Sequence, residues 1–254
     1  MEYFVAEKSV VRKIWGNADT ILFIFAGAAA EFALNKAVDW LYFTGKLPAN
    51  PLGRMFSTVA YARKIVFSSI HDAHKALDTL QHIHSAVEKG RGSAIPDWAY
   101  RDVLFMLLHY SIAAYEQLEA TLTEPEKEEI YNVFYRLGCR MGLKELPDTY
   151  NDWLPVREAH LLNDLQVSTY TKDLFKQYKK HLGPMRYRVL IEAQKLVVPE
   201  RVKVMLQFNN FSLVTPILPL YKLSKLMKMD SLLKNILVPG EYQEAVKELD
   251  KIKN

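Results

Sequence analysis

Residues Leu77 to Gly90 read LDTLQHIHSAVEKG, and the spacing of their apolar positions decides how the chain folds. At helical period, His84 shares a face with Ala73, Leu77, Leu80 and Val87, while His82 falls with Lys75, Asp78, Thr79, Ser85, Glu88 and Lys89. One of two neighbouring histidines therefore faces a core and the other faces water. A core-facing imidazole can be a hydrogen-bonded structural group, a metal ligand or a catalytic base, and this segment alone leaves all three open.

Outward from that helix the same period recurs. Ser68 or Ser69 is placed to open it and Gly90 to stop it. Upstream, Asn17 or Asp19 caps a helix beginning near Thr20, TILFIFAGAAAEFALNKAVDWLYF, which is apolar almost all round in its first half and so belongs inside a bundle. Gly27 and Ala28-Ala29-Ala30 leave its backbone open to close approach, by another helix or by something flat. The stretch TGKLPANPLGR predicts a loop, and the helix after it carries Arg54, Ser57, Thr58 and Tyr61 as one polar stripe. Downstream, Asp97 is placed as a cap for WAYRDVLFMLLHYSIAAYEQLEATL, where His109 stands among Phe105, Met106, Leu108, Ile112 and Ala113 as a second core-facing histidine. Thr123-Glu124-Pro125-Glu126 is a capping box with proline in the first turn. LPDTYNDW reads as loop and cap before a helix over VREAHLLNDLQ. From Lys172 the pattern predicts shorter helices, punctuated by Gly183-Pro184, Pro199, Pro216, Pro219 and Pro239. No period-two alternation, repeat or low-complexity tract interrupts this. The expectation is an all-α fold, a single-domain helical bundle over 1–254.

Composition narrows the function classes. Over 254 residues, half hydrophobic and 24% charged with a net charge of +4, the basic and acidic groups are interspersed, which gives no footprint for nucleic acid. The single cysteine, Cys139, excludes an internal disulfide and any multi-cysteine metal site. No signal-peptide layout opens the chain, and the apolar run Ile21 to Ala30 is about half of the ~20 residues a spanning helix needs. A cytoplasmic, reducing compartment is expected. The segment YKLSKLMKMDSLLKNIL, with Lys222, Lys225 and Lys228 at three-residue spacing, is amphipathic and offers peripheral contact with an anionic membrane or simply a solvated face.

Several chemistries are excluded by spacing. His71-Asp72 lacks the upstream histidine that a metal-dependent phosphohydrolase needs, and Glu158 lies two residues before His160 where a di-iron bundle needs three. There is no phosphate-binding glycine loop, nucleophile elbow, HExxH or aspartate-rich magnesium motif.

Five segments together resemble one family, the heme-dependent oxygenases typified by latex clearing protein (the rubber oxygenase) and the fungal ER-bound oxygenase of mycophenolic acid synthesis. They are IWGNADTILFIFAGAAAEFAL, LPANPLGRMFST, LDTLQHIHSAVEKG, FMLLHYSIAAYE and LTEPEKEEIYNVFYRLGCRMGLKELPDTYNDW, in the family's order over Trp15 to Trp153. The resemblance implies a bundle with globin-like inner helices around heme b. It implies His84 as the axial iron ligand, with Ile83 and Val87 matching beside it; His109 is the rival ligand, and the Phe, Met and Leu around it would line a substrate channel. It implies Arg54 and Thr58 as distal catalytic donors to bound dioxygen, and Gly27 and Ala30 as the helix surface against which the macrocycle lies. The implied activity is oxidative cleavage of a hydrophobic, unsaturated substrate by dioxygen; a non-enzymatic heme or hydrophobic-ligand carrier is the second reading. The chain departs from the pattern at Ser57, where rubber oxygenases carry lysine, and at Asn35-Lys36, where the family has His-Pro. The family's distal acidic residue has no clear counterpart here. These departures bear on rubber-type cleavage and leave the match at His84 untouched.

Overall fold

A helix that is apolar on every side has to sit at the centre of whatever forms around it. In the computed structural model, which describes residues 2–209, 211–213, 215–217 and 240–250, the second helix does so. The helices are α1 (Val10–Trp15), α2 (Ala18–Phe32), α3 (Val38–Phe43), α4 (Lys46–Ala49), α5 (Pro51–Phe67), α6 (Ile70–Arg91), α7 (Asp97–Leu118), α8 (Glu124–Arg140), α9 (Tyr150–Asn163), α10 (Thr169–Val197), α11 (Glu200–Met205) and α12 (Gln243–Asp250). The fold is all-α: among the described residues the only extended pairings are two isolated bridges, Tyr3 with Ser69 and Asn35 with Leu165. Helix α2 packs most extensively on α7 and next on α10; α5 pairs with α6, and α8 lies against α7 and α1. One continuous hydrophobic core runs from Phe4 through Ile21, Ile24, Leu77, Leu108 and Trp153 to Leu249. No helix among the described residues is long and apolar enough to cross a membrane.

The helix starts follow side-chain chemistry. Asn17 accepts from the backbone N–H groups of Asp19 and Thr20, and Ser69 from that of Asp72, so each satisfies donors the first turn leaves open. Thr123 and Glu126 form the reciprocal capping box.

Three boundaries correct the expectations from sequence. Helix α2 ends at Phe32 instead of continuing to Phe43, because the backbone of 34–36 leaves the helix to pair elsewhere. Lys36 N–H donates to Asp164 O at 2.9 Å, and Gln166 N–H donates to Leu34 O at 2.7 Å. The stretch predicted as loop contains α4 and the first turn of α5, opened by Asn50, whose side chain accepts from Gly53 N–H at 2.8 Å. Helix α6 runs past Gly90 and stops at Gly92, which takes the left-handed conformation with φ of 73°. The break expected at Gly183-Pro184 is present: within α10 (Thr169–Val197) Gly183 leaves helical geometry, with φ of 74°, and separates two shorter helical stretches. Pro184 occupies the first turn after the break, where its missing N–H leaves no bond unmade. The lysine-rich segment at 221–237 lies outside the described residues.

Deep in the core, a polar cluster ties three helices together. Arg157 of α9 holds Glu31 of α2 through two bonds of 2.6 and 2.5 Å, and both side chains are 3% exposed. The Tyr110 hydroxyl of α7 donates to the same carboxylate at 2.9 Å. Elsewhere Arg63 of α5 donates to the carbonyls of Trp15 and Leu249, fixing the last helix to the end of α1.

Candidate functional site

Between α2, α5, α6, α7 and α10 the bundle leaves a cavity of about 890 Å³, towards the upper end of the ~300–1,000 Å³ typical of small-molecule sites. Helix α2 contributes Leu22, Ala26 and Ala29 from one stripe, so two small side chains make room along its length. Leu80, Val103 and Leu107 extend an apolar wall. Only a few polar groups face this space, and three of them are His84, Arg54 and Thr58.

His84 and Arg54 come from the antiparallel pair α5–α6. His84 lies on the stripe of Ala73 and Leu77, both fully enclosed, and the imidazole is half-buried while His82 is exposed. Burial lowers the His84 pKa, the Arg54 charge lowers it further, and Glu88 opposes both. The ring is therefore neutral, as a metal-ligating imidazole must be. Its Nδ1 is enclosed without a hydrogen-bond partner among the described residues. Tyr100 of α7 packs on the ring at a centroid distance of 5.1 Å, and its hydroxyl donates to Glu88 Oε1 at 3.2 Å. Glu88 Oε1 also accepts from Ile95 N–H at 2.9 Å, which fixes the carboxylate that Tyr100 bonds to.

Arg54 follows the Asn50 cap in the first turn of α5. Its Nη1 donates to Thr58 Oγ1 at 3.3 Å, while that hydroxyl donates to the Arg54 carbonyl at 3.1 Å. Burial lowers the guanidinium pKa, yet arginine keeps its charge in proteins. No carboxylate among the described residues forms an ion pair with it. A cation held in an apolar cavity by one hydroxyl is arranged to receive negative charge from a ligand.

Gly27, Ala30 and His109 do not line the cavity. A Cβ at Gly27 would lie 2.3 Å from Cδ1 and Cε1 of Tyr110, so the flat group that glycine admits is this tyrosine, not a macrocycle. Ala30 is fully buried in helix packing. His109 lies edge-on to Tyr110, and burial, aided by the Arg157 charge, pushes its pKa down to about 3. It lies beside the Glu31–Arg157 layer, away from the cavity that His84 lines. Ser57, in the position where rubber oxygenases carry lysine, reaches the cavity but is exposed.

Sequence reasoning missed the contribution of α10. Tyr178, Leu182, Arg186, Leu190 and Ala193 line the cavity at spacings of three to four. That stripe is readable at helical period, but Gly183-Pro184 in its middle signals a break.

A family model described as ER-bound oxygenase mpaB/B'/Rubber oxygenase, catalytic domain, matches residues 12–225. No curated protein and no solved structure matches the chain.

Proposed function

The chain belongs to the mpaB/rubber oxygenase family of oxygenase catalytic domains, and on that premise we propose that it is a heme b-dependent oxygenase acting on a hydrophobic, unsaturated substrate. The observation that carries this reading is the convergence of His84, Arg54 and Thr58 on one apolar cavity of about 890 Å³. The residues fit the cofactor: a neutral imidazole with an enclosed, unpartnered nitrogen, a cation without a protein carboxylate, and small side chains along one wall.

In this reading His84 ligates the iron, oriented by Tyr100 and Glu88. Heme b, when bound, supplies the one-electron and dioxygen chemistry that side chains lack. With the cofactor bound, Arg54 and Thr58 would offer hydrogen bonds to negative charge in this part of the cavity, where low dielectric strengthens each bond. Leu107, Ala26 and Ala29 exclude water and hold an apolar chain.

The test is dioxygen consumption by heme-loaded protein offered polyisoprenoid or unsaturated lipid. Turnover is expected, falling by about two orders of magnitude in Arg54→Met, by analogy with loss of a charge-stabilising donor. Ser57 in place of lysine favours one other reading, a carrier that binds heme or an apolar ligand without turnover. Ligand binding without dioxygen uptake on any unsaturated lipid would establish the carrier and overturn the oxygenase.

A further inference from the structure

Behind the cavity wall formed by α7, on the side facing away from it, lies a second group of ligating side chains. Asp102 near the start of α7, His160 in the last turn of α9 and Asp164 just beyond that helix present one ligand atom each, all within 4.8 Å of one another. None of the three lines the cavity. Asp102 and His160 are almost fully enclosed, with side chains 5% and 11% exposed.

His160 and Asp102 make a close ion-pair contact without an aligned hydrogen bond. His160 Nδ1 and Asp102 Oδ1 are 2.6 Å apart, yet each is enclosed without a hydrogen bond of acceptable alignment. Two buried polar atoms at that separation and off each other's hydrogen-bond axis are costly unless a third species satisfies both. Around them the supporting contacts are complete. Asn35 Nδ2 donates to Asp102 Oδ2 at 2.6 Å, and Asn35 Oδ1 accepts from Ala37 N–H at 2.8 Å, so the free face of the Asp102 carboxylate is aimed at His160. His160 stacks on Phe105 at 5.5 Å, which fixes its ring plane. Lys36 N–H donates to Asp164 O, anchoring the third residue's backbone.

We propose that Asp102, His160 and Asp164 form a binding site for one divalent first-row transition-metal ion. An imidazole nitrogen with two carboxylates is a donor set for zinc, manganese, iron(II) or cobalt. Bonds of about 2.1 Å set ligand atoms roughly 3.0–4.2 Å apart around one ion, so the triangle closes when the outer carboxylate swings in and the His160–Asp102 contact opens by about half an ångström. The two carboxylates balance the ion's charge, and Asn35 and Phe105 orient the ligands as supporting residues do around metals. The ion would join the α2–α3 connection, α7 and the end of α9, clamping the helices that frame the Glu31–Arg157 cluster.

The test uses the full chain, freed of metal by chelation and dialysis, with its heme content held constant. Zinc or manganese is expected to raise the midpoint of thermal unfolding by about 5 °C or more at saturation, with one equivalent bound by elemental analysis. Cobalt is expected to give visible absorption bands in the wild-type chain. Asp164→Asn and His160→Gln should each abolish the metal-induced shift; Asp164→Asn should leave the metal-free midpoint within about 2 °C. The proposal is overturned if zinc, manganese and cobalt bind without shift or bands, or do not bind at all. It is equally overturned if the shift survives in both variants, which would place the ion elsewhere, for instance at His71 and His74. If either variant fails to fold, the cobalt bands of the wild type and the other variant decide the matter.

Discussion

Gly27 and Tyr110 show how one missing carbon sets a packing distance. The ring lies where a Cβ would be, and its hydroxyl is committed to Glu31, so it cannot withdraw without breaking a buried hydrogen bond. Gly27→Ala is therefore expected to destabilise the protein by about 1–3 kcal/mol through overpacking, despite alanine's better helix propensity, as measured by urea unfolding. Equal or greater stability in the variant would contradict this packing. The buried histidines set a pH dependence. His109 has its pKa pushed down to about 3 and His84 is shifted in the same direction, both chiefly by burial. The unfolded chain, with ordinary histidines near pH 6.5, binds more protons than the native state below that pH. These residues' contribution is therefore complete above about pH 6.5 and declines as the pH falls, by about 1.4 kcal/mol per unit per histidine until the native pKa is reached. Between pH 6.5 and 4.5, urea midpoints should drop less steeply in His109→Gln than in the wild type; identical slopes would show that His109 is not held neutral.

At the scale of elements, the Glu31–Arg157 pair decides how α9 meets α2, and Tyr110 brings in α7. Removing one partner leaves a buried charge, so Arg157→Met should cost about 3–5 kcal/mol in denaturant unfolding, whereas Glu31→Gln with Arg157→Met should cost less than Arg157→Met alone. Losses that simply add would mean the charges are not coupled. Neither residue stands out in the sequence, because a buried ion pair joins positions 126 apart and leaves no local spacing to read. What is local was legible: the apolar α2 interior, the Ser69 cap and the Thr123–Glu126 box all appear in the residues that form them. The end of α2 was not, since Leu34 and Lys36 leave the helix to bond with 164–166, far along the chain. The break within α10 was legible too, because Gly183-Pro184 is a local signal and Gly183 leaves helical geometry there.

For the whole molecule, the cavity exists because the helices around it, α2, α5, α6, α7 and α10 foremost, approach without filling the space between them. Its polar floor was legible through the family resemblance; spacing alone placed His84 on the apolar face of α6 and Arg54 one turn from Thr58. Its outline was not: Gly27 and Ala30 sit beside the cavity-facing stripe of α2, and only the helix's rotation in the bundle separates them from Ala26 and Ala29. The same rotation of α7 turns His109 into the polar layer and Leu107 into the cavity. The most direct measurement is the absorption spectrum of the full chain expressed with ample heme, beside His84→Ala and His109→Ala. A Soret band in the wild type and in His109→Ala, lost in His84→Ala, is the expected result. A band that survives in His84→Ala, or a wild-type chain that takes up no heme, would contradict the assignment of His84 as the iron ligand of this cavity.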